Sequence, residues 1–553
     1  MQNVVTPVLV AIAAFMAGLF VSQRWFNRLP GPLPLPLIGT RWHFWLHYKM
    51  DKLHEAYEDM FRRYGPVFAE VAPGGGKLVC IADSSAIAQV LRGTRPQKSP
   101  FRPPTEIVKI YRERRPDRYA STGLVNAQGS QWEHLRQHLT ADLCSWRTLT
   151  VFLPHLNLIC DDLVTLLGSS RDENGCVTHF EQLTNRMGLE SVCGLMLGVR
   201  LGFLEKHMTD RAATLAAAVK QHFTAQRDSY YGAPFWKYMP TELYKRFVRS
   251  EDTIHKIVSE LIEESLVKKL TLSEDNDGLQ AIFYKILSNP ELDIRDKKTG
   301  IIDFISAGIE TLANTLVFLL YLLSGRPDWQ QRIREELPNT DNLTIDDLSD
   351  ARALRAAMRE SFRMTPTAPF LARLLDAPVP VNEYTVPSAP QTFVLLHTRA
   401  ACLQEEHFFN AKTYLPERWM PGNDITPNNT NLVALFGRGR RMCPGKRFVE
   451  LELQLLLAKV PFTVEQCVVF DKILRSVNLH HGEMFFLDAP GGTGKTFLTG
   501  ILLAEVRRQG KIALIIRHWN VVHDGPLDVE FNFLLAPKGP VTFRLVPVEE
   551  VAQ

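Results

Sequence analysis

The stretch FGRGRRMCPG, from Phe436 to Gly445, places a single cysteine in a loop rich in glycine and arginine. Glycines allow backbone to approach a flat cofactor closely. The loop and the residue pair after it carry four arginines: Arg438, Arg440, Arg441 and Arg447. Their charges, with the amino terminus of the helix predicted to follow, favour a thiolate at Cys443. One thiolate is too few for structural zinc but enough for the proximal face of haem. An inert buried thiol is the alternative.

The same loop matches the pattern F-x-x-G-x-R-x-C-x-G in full, through Phe436, Gly439, Arg441, Cys443 and Gly445. The pattern is highly specific and resembles the haem-binding signature of the cytochrome P-450 haem-thiolate monooxygenases. The resemblance implies that Cys443 ligates the iron of haem b and that the other four residues contact the cofactor.

A second match, AGIET, lies in a long apolar helix. Ala307 and Thr311 share one helical face, and Gly308 would let that face lie close to a planar ligand. Burying a carboxylic acid and a hydroxyl in an apolar helix costs free energy, so these side chains are expected to have a function. A surface Glu310 beside a threonine bonded to its own helix is the alternative. By resemblance this is the oxygen-activation segment, in which Thr311 hydrogen-bonds dioxygen and Glu310 takes part in proton relay.

Two charged motifs resemble the family's structural cluster behind the haem. Glu360 and Arg363 lie one helical turn apart, which alone is typical of a solvated pair. Arg418, in the motif PERW, follows at the family's usual position. Together these three residues are predicted to form a buried cluster that is sensitive to loss of any one member.

Further arginines are predicted to recognise the carboxylates of the cofactor. Trp132 and Arg136 form W-x-x-x-R, which resembles the family's propionate-binding helix. Arg373 and Arg441 would add two more guanidiniums. The resemblance covers about residues 30–459 and 515–547. We therefore predict a mainly α fold with small β-sheets, the cytochrome P-450 fold.

Periodicity predicts several elements of this fold. Apolar spacings of three and four predict helices over Thr253–Lys268, Ile301–Leu323 and Arg447–Lys459. Short β-branched runs predict two hairpins, Pro66–Val71 with Lys77–Ile81 and Asp528–Leu535 with Val541–Val546.

Bulk composition excludes some classes of protein. The 553 residues carry 63 Lys+Arg against 60 Asp+Glu, a net charge of +3, so no polyanion-binding surface is predicted and nucleic acid is not an expected partner. The eight cysteines include no CxxC pair, which suits a reducing compartment. Most are expected to be buried thiols.

The amino terminus is predicted to attach the protein to a membrane. Val4–Val21 is almost wholly apolar, and 18 residues span roughly 27 Å, about the thickness of a hydrocarbon core. We assign residues 1–28 to an anchor or targeting segment, 29–45 to a proline-rich hinge, and 46–459 with 515–547 to the catalytic domain. A cleaved signal and a mitochondrial address are the alternatives for residues 1–28.

Basic residues predicted to lie on the same side of the haem as Cys443 indicate which class of electron donor could dock there. Arg355, Arg359, Lys446 and Arg447 resemble the ferredoxin-docking face of the mitochondrial branch, and would steer an acidic iron-sulfur protein. An ordinary solvated face is the alternative. The long anchor instead resembles microsomal enzymes fed by NADPH cytochrome P-450 reductase. The inner mitochondrial membrane and the endoplasmic reticulum therefore both stay open.

Three longer stretches resemble the ecdysone 20-monooxygenase branch: Arg115–Trp132, Ile302–Tyr321 and His397–Phe408. That branch hydroxylates the side chain of a steroid hormone. An apolar pocket with few polar contacts would suit such a substrate. The expected substrate is therefore a steroid or another lipophilic molecule, with O2 as co-substrate, and its identity rests on resemblance alone.

Residues 460–514 carry a second, unrelated motif. APGGTGKT, from Ala489 to Thr496, fits a phosphate loop between a predicted strand, Met484–Leu487, and a predicted helix, Phe497–Gln509. Gly491 and Gly494 would expose backbone N–H groups to phosphates, Lys495 would reach the outer phosphates and Thr496 would bind magnesium. The segment resembles the start of a Pif1-type DNA helicase.

This segment is predicted to be a small α/β insertion without function. It lacks a Walker B acid, an arginine finger and a second motor domain, so ATP and Mg²⁺ are not expected cofactors. Ile515–Val521 is predicted to continue the helix that Val460-Pro461 interrupts. The alternatives are a nucleotide-dependent nucleic-acid enzyme and a chimeric product that cannot bind haem.

Overall fold

The computed structural model describes residues 29–459, apart from short gaps, and four later strands. The gaps are 36–37, 74–75, 93–100, 142, 144, 173–175, 199, 206–209, 272–280, 339, 341, 376, 389–391, 426 and 428. The predicted anchor in residues 1–28 and the phosphate loop with its flanking strand and helix lie outside the described residues.

Helices account for most of the described chain. They are α1 Arg41–His47, α2 Leu53–Tyr64, α3 Ser84–Arg92, α4 Glu106–Glu113, α5 Gly129–Thr140, α6 Trp146–Ser169, α7 Phe180–Leu197, α8 Asp210–Tyr231, α9 Glu242–Thr271, α10 Ala281–Ser288, α11 Ile294–Ser324, α12 Pro327–Glu336, α13 Ile345–Asp350, α14 Arg352–Met364, α15 Thr398–Cys402 and α16 Lys446–Lys459. The first of them begins inside the range predicted as hinge.

The strands form small sheets around this helical body. They are β1 Val67–Val71, β2 Lys77–Ile81, β3 Cys176–Val177, β4 Leu371–Leu374, β5 Val379–Val381, β6 Tyr384–Val386, β7 Phe393–Leu396, β8 Trp519–Val522, β9 Val529–Phe531, β10 Leu535–Pro537 and β11 Phe543–Pro547. The largest sheet has the order β1-β2-β7-β4, in which only β2 and β7 run parallel. The mainly α prediction is confirmed.

Helix α11 is the centre of the core. The Asp293 side chain caps its first turn by accepting a hydrogen bond from the N–H of Arg295. The helix packs most closely on α7, at a crossing built from glycine. A Cβ on Gly308 would lie 2.9 Å from Cγ2 of Val192, and one on Gly188 would lie 3.0 Å from the carbonyl oxygen of Ile309. Glycine is therefore required on both helices for this approach.

Two described helices, α6 and α11, are long and apolar enough to cross a membrane by length and composition alone. In their most apolar windows, 56% and 67% of the residues are buried inside the protein. We therefore assign both to the core.

Three helices and one hairpin that the sequence periodicity predicted are confirmed. The three predicted helices lie within α9, α11 and α16, and the hairpin of β1 and β2 is confirmed.

Two predictions near the carboxyl end are wrong. Trp519–Val522 is a strand that pairs with β11, so the helix predicted over Ile515–Val521 is wrong for its last three residues, and residues 515–518 lie outside the described residues. A seven-residue window is too short to separate the two periods, and tryptophan with two valines suits a strand. The predicted second hairpin is also incorrect, because β9 pairs with β10 while β11 joins β8 to β3.

One buried acid on α16 makes the stability of this core depend on pH. Glu452 is fully buried, and neither carboxyl oxygen has a hydrogen bond within the described residues. Burial raises its pKa from 4.5 to about 8, although the nearby Ser191 hydroxyl acts in the opposite direction. The carboxyl is therefore neutral in the folded protein near pH 7.

We expect Glu452→Gln to remove this pH dependence. A raised folded pKa contributes stability that is fully present below the unfolded value and is lost as pH rises to the folded value. The wild-type free energy of unfolding should therefore fall between pH 4.5 and 8, by at most about 1.4 kcal/mol per pH unit. Denaturant titrations at pH 5 and 8.5 measure the difference. If the free energy of unfolding changes equally with pH in the two proteins, the Glu452 carboxyl is in contact with water.

Candidate haem site

The cysteine loop is a tight turn that presents Cys443 at its end. The N–H of Cys443 donates to the carbonyl of Phe436 at 2.8 Å. Gly437 and Gly439 both have φ of +72°, a conformation that favours glycine. A Cβ on Gly439 would also lie 3.3 Å from the carbonyl oxygen of Leu91. The loop therefore needs the glycines that the sequence pattern contains.

Cys443 differs from the other cysteines whose side chains the structure describes. Cys80, Cys160, Cys193 and Cys402 are buried, and burial raises the pKa of each thiol. Cys443 is exposed, and α16 begins three residues later. The described residues contain no group of three or more His, Cys, Asp or Glu side chains that could complete a metal site. A lone exposed cysteine of this kind fits a metal whose other ligands come from a cofactor.

Arginines gather beside this loop. The Arg441 guanidinium lies 4.0 Å from the ring centroid of Trp132 and donates to the carbonyl of Ala127 at 2.9 Å. Burial, together with the neighbouring positive charges of Arg102, Arg373 and Arg136, lowers the pKa of Arg441 to about 9. Uncompensated positive charge in a buried place is costly.

Two other arginines beside the cysteine loop are also buried or half-buried with uncompensated positive charge. Burial and the charge of Arg102 lower the pKa of Arg373 to about 10, and burial lowers the pKa of Arg102. A bound group with carboxylates would relieve this repulsion. The four arginines therefore fit the propionates of haem. Arg102 was missed by sequence reasoning, since RPP carries no recognisable spacing.

Helix α11, which is predicted to lie on the distal side of the haem, leaves two of its predicted site residues accessible. Ala307 is exposed although it lies in the middle of a core helix, and Thr311 is half-buried one turn later. The Thr311 hydroxyl donates to the carbonyl of Ala307 at 2.6 Å. Glu310 is only 8% exposed, so the alternative of a surface glutamate does not apply. Gly308 packs against Val192 of α7, a role that the sequence did not reveal.

Glu360, Arg363 and Arg418 form a fully buried charge cluster. Arg363 holds both oxygens of Glu360, at 2.9 Å through Nε and 2.8 Å through Nη2, and Arg418 Nε donates to Oε1 at 3.0 Å. The Trp419 indole and the N–H of Leu415 donate to the same carboxylate. The remaining guanidinium hydrogens bind backbone carbonyls, at Cys402, Phe409, Ala411 and Thr413. The cluster ties α14 to the loop that precedes Cys443.

The predicted docking arginines are not equivalent. Arg359 and Arg447 are exposed, and each lies over a tryptophan ring, Trp419 at 4.2 Å and Trp146 at 5.3 Å. Arg355 is half-buried and donates to the carbonyl of Leu348. Lys446 lies 3.8 Å from Glu450. Only part of the predicted basic set therefore presents a charge that a partner could reach.

Comparison with known proteins agrees with this geometry. The family model for cytochrome P450 matches residues 29–465, and a model for PIF1-like helicase matches residues 461–519. Ecdysone 20-monooxygenase of Drosophila melanogaster is 42% identical over 94% of this chain and 88% of its own length. The helicase match agrees with the resemblance noted for the phosphate-loop segment.

More distant relatives include mitochondrial enzymes. The mitochondrial 1,25-dihydroxyvitamin D(3) 24-hydroxylase of Mus musculus is 28% identical over 79% of this chain and 83% of its own length. Mitochondrial cytochrome P450 302a1 of Drosophila melanogaster is 28% identical over 80% and 86%. The family match covers most of the chain, and the chain belongs to the cytochrome P450 family, as a monooxygenase that carries haem b on a cysteine thiolate.

Proposed function

We propose that this enzyme hydroxylates an ecdysone-type steroid with O2 and electrons from a redox partner. The observation that carries the proposal is the 42% identity to an ecdysone 20-monooxygenase over 94% of the chain. Cys443 is the proposed iron ligand. Arg102, Arg136, Arg373 and Arg441 are proposed to hold the propionates, with the Trp132 ring supporting Arg441.

Haem supplies the binding and activation of dioxygen when it is bound. The protein's own contribution on the distal side is proposed to be proton delivery. The Thr311 hydroxyl is accessible and has lone pairs that can accept a proton while it donates to Ala307. Glu310 is buried next to it in sequence and is proposed to pass protons to that hydroxyl. A buried acid is suited to supplying protons in this way.

The electron donor is proposed to be a ferredoxin with its reductase, at the inner mitochondrial membrane. The support comes from relatives that are named as mitochondrial and from the exposed guanidiniums of Arg359 and Arg447 on the cysteine side. Lys446 and Arg355 are proposed to contribute less, because both are less exposed than Arg359 and Arg447. Membrane attachment through residues 1–28 is part of the same proposal.

The segment 460–514 is proposed to be a tolerated insertion with a vestigial phosphate loop. The helix that follows Cys443 is described as far as Lys459, the last residue before the insertion. Lys459, at the end of α16, is 1% exposed and donates to Asp161 of α6 at 2.7 Å. This buried contact holds the described end of the helix against α6, which argues against the alternative of a chain unable to bind haem.

Reconstitution with ecdysone tests the proposed function. Purified enzyme should hydroxylate ecdysone with ferredoxin and ferredoxin reductase, and more slowly with NADPH cytochrome P-450 reductase. Thr311→Ala should lower product formation by roughly 10²-fold at unchanged haem content, because it removes a proton-transfer group. Thr311→Ser serves as the control and should retain activity. Failure of wild-type enzyme to convert ecdysone with either donor would exclude this substrate.

A further inference from the structure

A buried ion-pair network joins three elements on the distal side. We call Arg112, Glu251 and Asp303, from α4, α9 and α11, the Arg112 clamp. Arg112 is 5% exposed; its Nη2 lies 2.7 Å from Oδ1 of Asp303 and 3.0 Å from Oε1 of Glu251. Its Nε also donates to Glu251 at 3.1 Å, and its Nη1 to Asp303 at 3.2 Å. One guanidinium therefore binds two carboxylates, each through two of its N–H groups.

Glu251 of the clamp is held as a carboxylate. Burial alone would raise the pKa of Glu251, but Arg112 and His222 outweigh it and hold the pKa at about 2. The His222 Nδ1 lies 3.0 Å from Oε2 of Glu251. Charged, multiply bonded pairs of this kind impose a defined geometry on the elements that carry them.

The loop 114–128 is bound to the clamp at several points. Arg112 Nη1 donates to the carbonyl of Thr122 at 3.2 Å. Gly123 has φ of +84°, and a Cβ there would overlap both Arg112 and Asp303. Two further contacts join the loop to the start of α11. Ser121 donates to Asp296 at 2.6 Å, and Arg295 donates to the carbonyl of Pro116 at 2.7 Å.

This loop contacts helix α11 along its first part and Arg441 of the cysteine loop at its end. Asp303 precedes Ala307 by one helical turn on α11, so the clamp lies next to the distal face. At the other end, Ala127 and Gln128 accept hydrogen bonds from Arg441, two residues before Cys443. The loop therefore runs from the clamp, which lies one helical turn from the exposed Ala307, to the cysteine loop.

We propose that Arg112 is a positioning residue, and that the Arg112 clamp fixes loop 114–128 as a wall of the steroid pocket. This inference rests on the proposed function for the class of substrate. Disrupting the clamp should weaken substrate binding and lower the amount of product formed per electron consumed. The reason is that a mobile wall leaves the reacting carbon poorly placed. It should leave haem binding unchanged, since Arg441 holds the other end of the loop.

The test uses two variants that disturb the clamp in different ways. Arg112→Met with Glu251→Gln and Asp303→Asn removes all three charges together, which avoids an unpaired buried charge. Gly123→Ala keeps every charge but places a methyl group in the clamp. The control is Arg249→Met, which removes the exposed ion pair of Arg249 and Glu242 on the same helix α9.

Backbone hydrogen exchange of loop 114–128 in the ligand-free haem enzyme is the first readout. We expect exchange to be at least about tenfold faster in both clamp variants and unchanged in the control. The dissociation constant and KM for ecdysone should rise about tenfold, and product formed per NADPH should fall, at an unchanged carbon-monoxide spectrum. Unchanged exchange, or faster exchange with unchanged affinity and coupling, overturns the proposal.

The proposed substrate and the clamp can fail separately. If wild-type enzyme does not bind ecdysone, the substrate assignment is wrong. The affinity of a bulky azole that coordinates the iron and fills the distal pocket then replaces ecdysone as the probe. An affinity about tenfold weaker in both clamp variants would still support the wall, and an equal affinity would overturn it.

Discussion

Replacing Cys443 with alanine is expected to abolish monooxygenase activity and the strongly red-shifted band of the reduced carbon-monoxide complex. The thiolate is the protein's only proposed bond to the iron, and alanine offers no ligand atom. The loop itself should persist, because its turn depends on Gly437, Gly439 and the hydrogen bond from the N–H of residue 443 to Phe436. Haem content, the carbon-monoxide spectrum and steroid turnover are the measurements.

Cys193→Ala is the matched control for this prediction. Cys193 is buried between core helices, so its loss should cost stability and leave the spectrum in place. A Cys443→Ala protein that keeps the red-shifted band would show that another residue supplies the thiolate.

Glu360→Gln is expected to destabilise the protein by about 3–5 kcal/mol, since it leaves two buried guanidiniums without their shared counter-charge. Arg363 and Arg418 are both 0% exposed, and burial already lowers the pKa of Arg418 despite the carboxylate. A loss of this size is a large part of the stability of an ordinary domain. The expected result is a lower melting temperature and a small fraction of chains with bound haem.

The control for this substitution is Glu242→Gln, which removes an exposed ion pair with Arg249. Exposed pairs contribute little to stability, so haem content should not change. If Glu360→Gln and Glu242→Gln have the same melting temperature and haem content, the buried cluster does not have the structural importance proposed here.

Sequence was most informative where function fixes a short local pattern. The cysteine loop could be predicted because its glycines, its arginine and its cysteine lie within ten positions. The partners Glu360 and Arg418 are 58 residues apart, and could be connected only through the family resemblance. The periodicity of α11 and α16 was likewise strong enough to predict both helices.

The features that the sequence did not reveal depend on contacts between residues that are far apart in the chain. Arg102 joins the arginine group because tertiary folding brings it beside Arg373 and Arg441. Gly308 is needed for packing on Val192, which requires knowledge of how α7 crosses α11. The strand of β8 forms because β11 lies beside it, a pairing that local propensity does not contain.

The most direct test of the account is the reduced carbon-monoxide difference spectrum of the full chain, recorded beside a chain that lacks Val460–Leu514. Both chains should show the red-shifted band of a thiolate-ligated haem, because α16 is anchored through Lys459 before the insertion begins. A band in the shortened chain alone would show that the insertion inactivates the enzyme. Absence of the band from both chains would contradict the central claim that Cys443 is the haem ligand.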